Sequence, residues 1–247
     1  MLRPTLFEPI CLKLKEIQLK AKNTVGVKPA IIEDAAHAFG SEYKGKKIGS
    51  HGNITCFSFQ AIKHLTTGDG GLLVVPHQEL YHRGNLLRWY GINRESNRKD
   101  FRCEEDICEW GYKFHMNDIN ATIGLENLSH INCLLRRHRD NALFYNNQLK
   151  NVSGVTLMEN APDRSSAYWL YTIKVENQKG FMDAMRDAGI MVSRVHERND
   201  IHSAVAEFKA ILPNLDKLVK EMICIPVGWW ITNEDRQYIV DTIKKGW

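Results

Sequence analysis

Residues 58–71, SFQAIKHLTTGDGG, place one lysine in a loop of small, hydroxyl-bearing and glycine residues. An apolar, β-like run, Ile54–Ser58, leads into this loop, and a second run, Leu72–Val75, follows it. A loop between two strands is a place where a protein can hold the amine of Lys63 close to a phosphate and a ring. From this window alone a solvated lysine is the simpler interpretation, so the neighbouring sequence has to decide.

Residues 30–40, AIIEDAAHAFG, supply an acid and an imidazole upstream of that loop. A short apolar run ends at Asp34, and His37 follows three residues later. Open α/β sheets bind their ligands at the carboxyl ends of buried strands, so Asp34 is a candidate site residue. Two structural alternatives stay open, because Asp34 could cap a helix and His37 could be a hydrogen-bonded, partly buried imidazole.

The composition restricts the class of protein. The chain has 247 residues, of which 43% are hydrophobic and 25% charged, which is typical of one large globular domain or two small ones. The net charge of +4 comes from scattered bases, so nucleic acid is not indicated as a partner. No apolar run reaches the roughly 18 residues that cross a bilayer, so no membrane partner is expected.

Cysteine usage points to a reducing compartment. The six cysteines form no CxxC pair, and no His/Cys cluster has the spacing of a zinc site. Reduced thiols and a cytoplasmic location are therefore expected, with no metal site. The N-terminus also lacks the apolar core of a signal peptide, because charged residues interrupt it.

Local patterns predict alternating helices and strands. An amphipathic helix is expected over Ile10–Ala21, a hairpin-like turn within Tyr43–Ser50, and a strand over Ile190–Val195. Asn117 and Asp118 are typical of a helix start, and the helix behind them could run unbroken or as two pieces to Leu149. A polar stretch over residues 91–108 is interpreted as a surface loop.

Two of these segments together resemble a known family. The segments IIEDAAHAFGSEYKGKKIGS (31–50) and CFSFQAIKHLTTGDGG (56–71) carry acid, histidine, serine, lysine and a glycine pair in order. They resemble the DegT/DnrJ/StrS family of sugar aminotransferases, which use pyridoxal 5'-phosphate (PLP). Residues 111–121, GYKFHMNDINA, are similar to the family's GYNxRMxDxxAA segment, so the resemblance runs from about Lys28 to the C-terminus.

The resemblance implies an α/β fold, namely fold type I, the aspartate-aminotransferase-like PLP fold. Residues 1–150 would form a partial large α/β/α domain that binds PLP, and residues 151–247 a small α+β domain. Members of the family carry a longer segment before the strand that bears the acid, whereas about 30 residues precede Asp34 here. The resemblance therefore implies an N-terminally truncated member, or one whose missing part is a separate chain.

The resemblance also assigns roles around the cofactor. Lys63 would bond covalently to PLP and later carry a proton, and Asp34 would pair with the pyridine nitrogen. His37 would lie near the ring, and Ser58 would donate to the phosphate, with Gln60 and residues 66–68 as weaker candidates. A related branch with histidine in place of the lysine dehydrates sugars instead, so Lys63 favours transamination.

Five further positions correspond to family positions, and at two of them this sequence has a different residue. Lys113 stands where the family has an asparagine that reaches the phosphate of the partner subunit, and His115 replaces the motif's arginine. Tyr112, Arg194 and His196 would lie near the substrate. A charged surface turn is the open alternative for Arg194 and His196.

The implied reaction moves an amino group from glutamate to a 4-keto-6-deoxy, or less readily a 3-keto, nucleotide sugar. PLP would cycle through its pyridoxamine form, and the product would serve surface polysaccharide or deoxyaminosugar biosynthesis. A homodimer is implied, because sites of the family are completed across subunits. The alternatives are a catalytically silent fragment and a PLP-dependent sugar dehydratase.

Overall fold

The structure, a computed structural model, describes residues 4–96 and 106–247. The predicted surface loop over 91–108 therefore lies partly outside the described residues. Two short 3-10 helices occupy Asn199–Ile201 and Ser203–Phe208. The other elements, in chain order, are α1 Pro4–Val25, β1 Ile32–Asp34, β2 Glu42–Tyr43, β3 Lys46–Lys47, β4 Ile54–Ser58, β5 Gly71–Val74, α2 Gln78–Leu87, α3 Asp118–Leu149, β6 Val155–Leu157, β7 Arg164–Ser165, β8 Tyr171–Val175, α4 Gln178–Asp187, α5 Pro213–Glu221, β9 Met222–Ile225 and α6 Asn233–Lys244.

The chain forms two compact units. The lysine unit comprises Pro9–Ile131 and Asp163–Ser165, and the C-terminal unit comprises Asn132–Pro162 and Ser166–Trp247 together with residues 4–8. Helix α3 contributes its first half to the lysine unit and its second half to the C-terminal unit. The division into domains at residue 150 stays a prediction.

The lysine unit is built on a mixed sheet with the strand order β1-β4-β5. Strands β1 and β4 are parallel, with Asp34 opposite Cys56, and β5 returns antiparallel with Gly71 opposite Ser58. This order brings the carboxyl ends of β1 and β4 to one edge of the sheet, which is where an α/β sheet places ligands.

Strand β1 is less buried than the sequence indicates. Ile32 is 66% exposed and Asp34 is also exposed, because β1 is the edge strand of its sheet among the described residues. The apolar run that ends at Asp34 thus forms the predicted strand, but the prediction that this strand is buried is wrong for the described chain.

The predicted hairpin is formed by β2 and β3. Lys44 and Gly45 at its tip have φ angles of 49° and 72°, the left-handed pair that a tight two-residue hairpin turn requires. Strand β7 pairs with the other edge of β2, so residues 163–165 return to the lysine unit.

The C-terminal unit packs the second half of α3, α4 and α6 on an antiparallel sheet with the order β6-β8-β9. Side chains of β8 alternate between buried and half-buried positions, as expected for a strand with one face in the core. Each fully buried apolar side chain of this kind contributes about 1.5–3 kcal/mol through removal from water. The largest are Tyr145, Phe181, Leu149, Ile173 and Met185.

The structure differs from the prediction at two elements and decides between the two alternatives for a third. Helix α1 begins at Pro4, earlier than predicted, because proline is tolerated at a helix start. Helix α3 is a single unbroken helix of 32 residues. The predicted strand Ile190–Val195 is wrong, since only Ser193 forms a bridge, to Cys224, and Val195 adopts a left-handed φ of 57° that ends the extended run.

Within residues 4–96 and 106–247, none of the helices combines the length and the apolar character that a membrane-spanning segment needs. Cys56, Cys108, Cys133 and Cys224 carry free thiols.

Candidate functional site

The ends of β1 and β4 place two predicted site residues on one face of the sheet. Asp34 lies opposite Cys56, and Ser58 follows Cys56 by two positions, so all three side chains leave the sheet on the same side. The backbone N–H of Ala35 donates to the carbonyl of Cys56 at 2.8 Å and extends the pairing past Asp34. The carboxylate and the hydroxyl are thus neighbours through strand geometry.

The Asp34 carboxylate closes a turn and does not cap a helix. Its Oδ1 accepts from the N–H of Ala36 at 3.1 Å, and residues 35–39 form turns and not a helix. Glu33 next to it points to the opposite face, where Asn53 Nδ2 and Thr55 Oγ1 donate to its two carboxylate oxygens at 2.6 and 3.0 Å. The two adjacent acids therefore have separate tasks, and only Asp34 faces the site.

The lysine loop is closed at its base by backbone hydrogen bonds. Phe59 N–H donates to Gly70 at 2.9 Å, and Thr67 N–H donates to Phe59 at 2.9 Å. Gly70 has a φ of 147°, and a Cβ on Gly71 would lie 2.7 Å from the carbonyl oxygen of Phe57. The glycine pair thus serves the backbone path of the loop, as its sequence suggests.

The Lys63 side chain is half-buried, and its amine lies within the field of Asp34. Burial lowers the pKa of Lys63 below its ordinary value, and the negative charge of Asp34 acts in the opposite direction and raises it. The loop around the amine is held by buried side chains, namely His64, Leu65 and Thr67. The structure therefore brings Lys63 and Asp34 together, although 28 residues separate them in the sequence.

Hydroxyl and backbone N–H groups of this loop are hydrogen-bonded to one another. The N–H of Gln60 donates to Ser58 Oγ at 3.3 Å, a bond that leaves the serine hydroxyl hydrogen available to donate. Gly68 N–H donates to Thr66 Oγ1 at 2.9 Å within the turn that follows Lys63. Phosphate binding by Ser58 stays a prediction, and the same holds for the weaker candidates Gln60 and residues 66–68.

His37 lies in the turn that follows Asp34 and is half-buried. Ala38 N–H donates to Ala35 at 2.9 Å, and Phe39 packs edge-on against Phe57 and Phe59, with ring centroids 5.6 and 5.7 Å apart. These contacts anchor the turn to β4. The role of His37 beside the ring of PLP remains a prediction.

Tyr112 and Lys113 lie on an extended segment beside helix α2. Lys113 bridges Trp89, and Tyr112 N–H donates to the carbonyl of Leu87 at 2.6 Å. The exposed ring of Tyr112 stacks on Phe114, with centroids 5.1 Å apart and planes 10° from parallel. Both predicted roles, phosphate contact by Lys113 and substrate contact by Tyr112, stay predictions.

His115, which replaces the arginine of the family motif, has its Nδ1 buried without a hydrogen-bond partner among the described residues. Burial is the largest influence that lowers the pKa of His115, followed by the positive charges of Lys113, Arg88 and Arg94. The ring lines a cavity of about 600 Å³ together with Trp89.

Arg194 and His196 belong to the C-terminal unit. The Arg194 guanidinium pairs with the Glu197 carboxylate at 2.6 Å, and His196 lines a cavity of about 320 Å³. Arg194 is thus engaged locally, as the surface-turn alternative expects, and its substrate role stays a prediction. Arg198, also in this segment, pairs with Asp200 at 2.5 Å.

Sequence reasoning missed two residues that touch the lysine loop. Asn127 Nδ2 donates to the carbonyl of Thr66 at 2.9 Å, and Asn120 Nδ2 donates to the carbonyl of Asp69 at 2.7 Å. Their signal in the sequence is a polar and small stripe on α3, with Gly124 between the two asparagines at helical spacing.

The chemistry of these groups fits PLP. An amine whose pKa is lowered by burial, a carboxylate in its field and a serine hydroxyl lie at the carboxyl ends of two parallel strands. These match the needs of the cofactor for a covalent attachment, a partner for its ring nitrogen and a donor to its phosphate. All of them come from the lysine unit.

Comparison with solved structures agrees with the fold. The sugar aminotransferase CalS13 from Micromonospora echinospora superimposes with a TM-score of 0.89 and 45% identity, over 96% of this chain and 64% of that one. The PLP form of the sugar aminotransferase Spr1654 from Streptococcus pneumoniae, itself described as putative, superimposes with a TM-score of 0.78 and 25% identity, over 91% and 59% of the two chains. The predicted α/β architecture of PLP fold type I is confirmed.

Sequence comparison gives the family. A curated relative, the UDP-4-amino-4,6-dideoxy-N-acetyl-beta-L-altrosamine transaminase of Campylobacter jejuni, is 28% identical over 234 residues, which cover 88% of this chain and 60% of the relative. The chain spans about three fifths of the length of the curated relatives that it matches. The model of the DegT/DnrJ/EryC1/StrS aminotransferase family matches residues 14–244. The chain therefore belongs to the DegT/DnrJ/EryC1/StrS aminotransferase family.

Proposed function

We propose that the protein is a PLP-dependent aminotransferase that acts on a keto group of a nucleotide sugar. The observation that carries this proposal is the position of Lys63, a partly buried amine with a lowered pKa in the field of Asp34. A lysine needs such a lowered pKa to act as a nucleophile and as a base near neutral pH. Membership of an aminotransferase family supports the same reaction.

Each residue would have one task. Lys63 would hold the cofactor and, once released, carry a proton at its Nζ atom. Asp34 would hold the ring nitrogen in its protonated form through its negative charge. Ser58 would donate its hydroxyl hydrogen to the phosphate, and the closed loop over 59–70 would keep Lys63 in place. Bound PLP would supply the electron sink for the substrate carbon.

The substrate and partners are part of the proposal. We infer a 4-keto-6-deoxy nucleotide sugar, with a 3-keto sugar as the less favoured choice, glutamate as the amino donor, and a product used in surface polysaccharide or deoxyaminosugar biosynthesis. The Campylobacter relative, which is named as a transaminase of a UDP-linked dideoxy amino sugar, supports this substrate class. A homodimer and a cytoplasmic location are also proposed, as is the contact of Tyr112, Arg194 and His196 with substrate and of His37 and Lys113 with the cofactor.

Covalent labelling tests the assignment of Lys63. The chain is incubated with PLP, reduced with borohydride, digested and analysed by peptide mass. We expect the reduced cofactor on the peptide that contains Lys63 in the wild type and its loss in Lys63→Ala. Lys46→Ala is the matched control, because Lys46 is an exposed lysine on β3 of the same unit, and its variant should label like the wild type.

Selective labelling of Lys63 supports the proposal. A spread of label over exposed lysines, unchanged in Lys63→Ala, would contradict it and favour the catalytically silent alternative. A product assay with a keto nucleotide sugar then separates transamination, which requires glutamate, from dehydration, which does not.

A further inference from the structure

One face of helix α3 lies against the lysine loop. Asn120, Gly124 and Asn127 are spaced four and three residues apart, so they lie above one another on the same side of the helix. All three belong to the lysine unit, as does the loop over 59–70. This stripe, Asn120-Gly124-Asn127, is called the α3 stripe below.

The two asparagines hold carbonyl groups on either side of Thr67. Asn127 Nδ2 donates to the carbonyl of Thr66 at 2.9 Å, and Asn120 Nδ2 donates to the carbonyl of Asp69 at 2.7 Å. Without Asn127 the part-buried carbonyl of Thr66 would have to find water or stay unpaired, which is costly, whereas the carbonyl of Asp69 would keep the hydroxyl of Thr67. The stripe thus fixes two points of the loop that carries Lys63.

Gly124 sets how closely the helix approaches. A Cβ at this position would lie 2.7 Å from Cγ2 of Thr67, a residue that is only 3% exposed. Thr67 in turn donates its hydroxyl to the carbonyl of Asp69 at 2.8 Å. The glycine therefore lets the helix approach close enough for Asn120 and Asn127 to reach the loop.

The loop transmits this anchoring toward the lysine. Thr67 N–H donates to the carbonyl of Phe59 at 2.9 Å and closes the loop, and Lys63 N–H donates to the carbonyl of Gln60 at 2.9 Å, so the lysine ends a hydrogen-bonded turn inside this closed loop. A loop whose Thr66 carbonyl is released can open at this side and admit water to the amine.

We propose that Asn127, with Asn120, is a positioning residue that holds the lysine loop closed and thereby keeps Lys63 partly buried and reactive. The inference rests on the proposed role of Lys63 in holding the cofactor. Asn127 donates to the loop backbone at Thr66, three residues after the lysine, so its effect would reach Lys63 through residues 63–66.

Competitive acetylation of the full chain, without PLP, measures the reactivity of the Lys63 amine directly. Trace acetic anhydride labels all lysines at a series of pH values, and peptide mass gives the rate of Lys63 relative to exposed lysines in the same sample. The variants are Asn127→Ala and Asn127→Gln, and Asn132→Ala is the matched control because Asn132 is an exposed asparagine of the same helix. Circular dichroism verifies that each variant is folded.

We expect Asn127→Ala to slow acetylation of Lys63 near pH 8 by about threefold or more, because a hydrated amine is protonated more fully at that pH. The midpoint of its pH profile should move upward, whereas Asn132→Ala should leave both quantities unchanged. Asn127→Gln keeps an amide donor and should restore the rate to within about twofold of the wild type.

An unchanged rate and pH profile of Lys63 in folded Asn127→Ala would overturn the proposal. If that variant does not fold, Asn120→Ala is the second test, because it removes only the more exposed of the two bonds. We expect a smaller upward shift in the midpoint of the Lys63 pH profile. The absence of that shift would overturn the proposal equally. Because acetylation needs no PLP, a failure of cofactor labelling together with a shifted profile would reject the proposed function and keep the positioning role.

Discussion

At the scale of the residue, the Lys63 amine is subject to two opposed influences. Burial disfavours its charged form and lowers the pKa, while the charge of Asp34 favours the charged form and raises it, with burial the larger of the two. The Asp34 carboxylate that would pair with the ring nitrogen of PLP therefore also raises the pKa of Lys63, which makes the amine less nucleophilic near neutral pH. The two tasks can be separated by removing the charge alone.

Asp34→Asn is predicted to make the Lys63 amine, in the absence of PLP, more reactive and the cofactor less firmly held. Loss of the negative charge lets burial lower the pKa of Lys63 further, so a larger fraction is unprotonated below the midpoint and acetylation without PLP becomes faster. Loss of the same charge would remove the proposed partner of the ring nitrogen, so retention of PLP on gel filtration is expected to fall. Glu33→Gln is the matched control, since Glu33 loses an equal charge on the opposite face of β1. Slower acetylation in Asp34→Asn would show that the charge acts on Lys63 with the opposite sign.

At the scale of the element, helix α6 illustrates how a terminus stabilises the C-terminal unit. Thr232 Oγ1 accepts from the N–H of Asp235 at 3.0 Å, and Asp235 Oδ2 accepts from the N–H of Thr232 at 2.9 Å, which together form a capping box. The helix behind it buries Ile239, Val240 and Ile243 in the core. The cap therefore fixes an element that the core depends on.

Thr232→Ala is predicted to lower the free energy of unfolding by about 1 kcal/mol, because the N–H of Asp235 loses its acceptor. Thr232→Ser keeps the oxygen and should lie much closer to the wild type. Urea unfolding followed by far-UV circular dichroism measures the difference. Equal midpoints for wild type and Thr232→Ala would mean that water replaces the cap at no cost.

An element could be predicted from sequence where its own residues favour the structure that its tertiary contacts also require. Asn117 starts helix α3 as expected, and its Oδ1 accepts from the N–H of Asn120 at 2.9 Å. The strand expected over Ile190–Val195 fails for a tertiary reason, since its pairing with β9 is limited to the bridge at Ser193. Apolar β-branched residues favour a strand, but pairing with a neighbour decides whether one forms.

At the scale of the whole molecule, the candidate site was predictable only where residues follow strand ends or a family motif. Asp34 and Ser58 lie together because parallel strands end at one edge, and resemblance linked both to Lys63. The contact of Asn127 with Thr66 spans 61 residues and depends on the close approach of α3 at Gly124, which no local pattern encodes. Positioning contacts of this kind arise from packing, so sequence reasoning about single segments does not find them.

The stability of the C-terminal unit should depend on pH through His138. This histidine is 4% exposed, and its Nδ1 lies 2.9 Å from the carbonyl oxygen of Tyr168. Burial lowers the pKa of His138, and the smaller influence of the bond to Tyr168 raises it. As the pH falls through about 6.5, the unfolded chain takes up a proton that the folded chain resists, so stability is lost.

We predict that the free energy of unfolding falls more steeply between pH 7.5 and 5.5 in the wild type than in His138→Asn, which keeps an N–H donor toward Tyr168 but does not titrate. Each pH unit between the folded and unfolded pKa values of His138 removes about 1.4 kcal/mol, and this contribution is absent from the variant. Urea unfolding at matched ionic strength gives both slopes, and comparing slopes cancels the cost of the smaller side chain as well as the titration of other groups. Parallel pH dependences in the two proteins would show that the buried imidazole accepts its proton in the folded state as readily as in the unfolded one, and that burial at this position carries no penalty for charge.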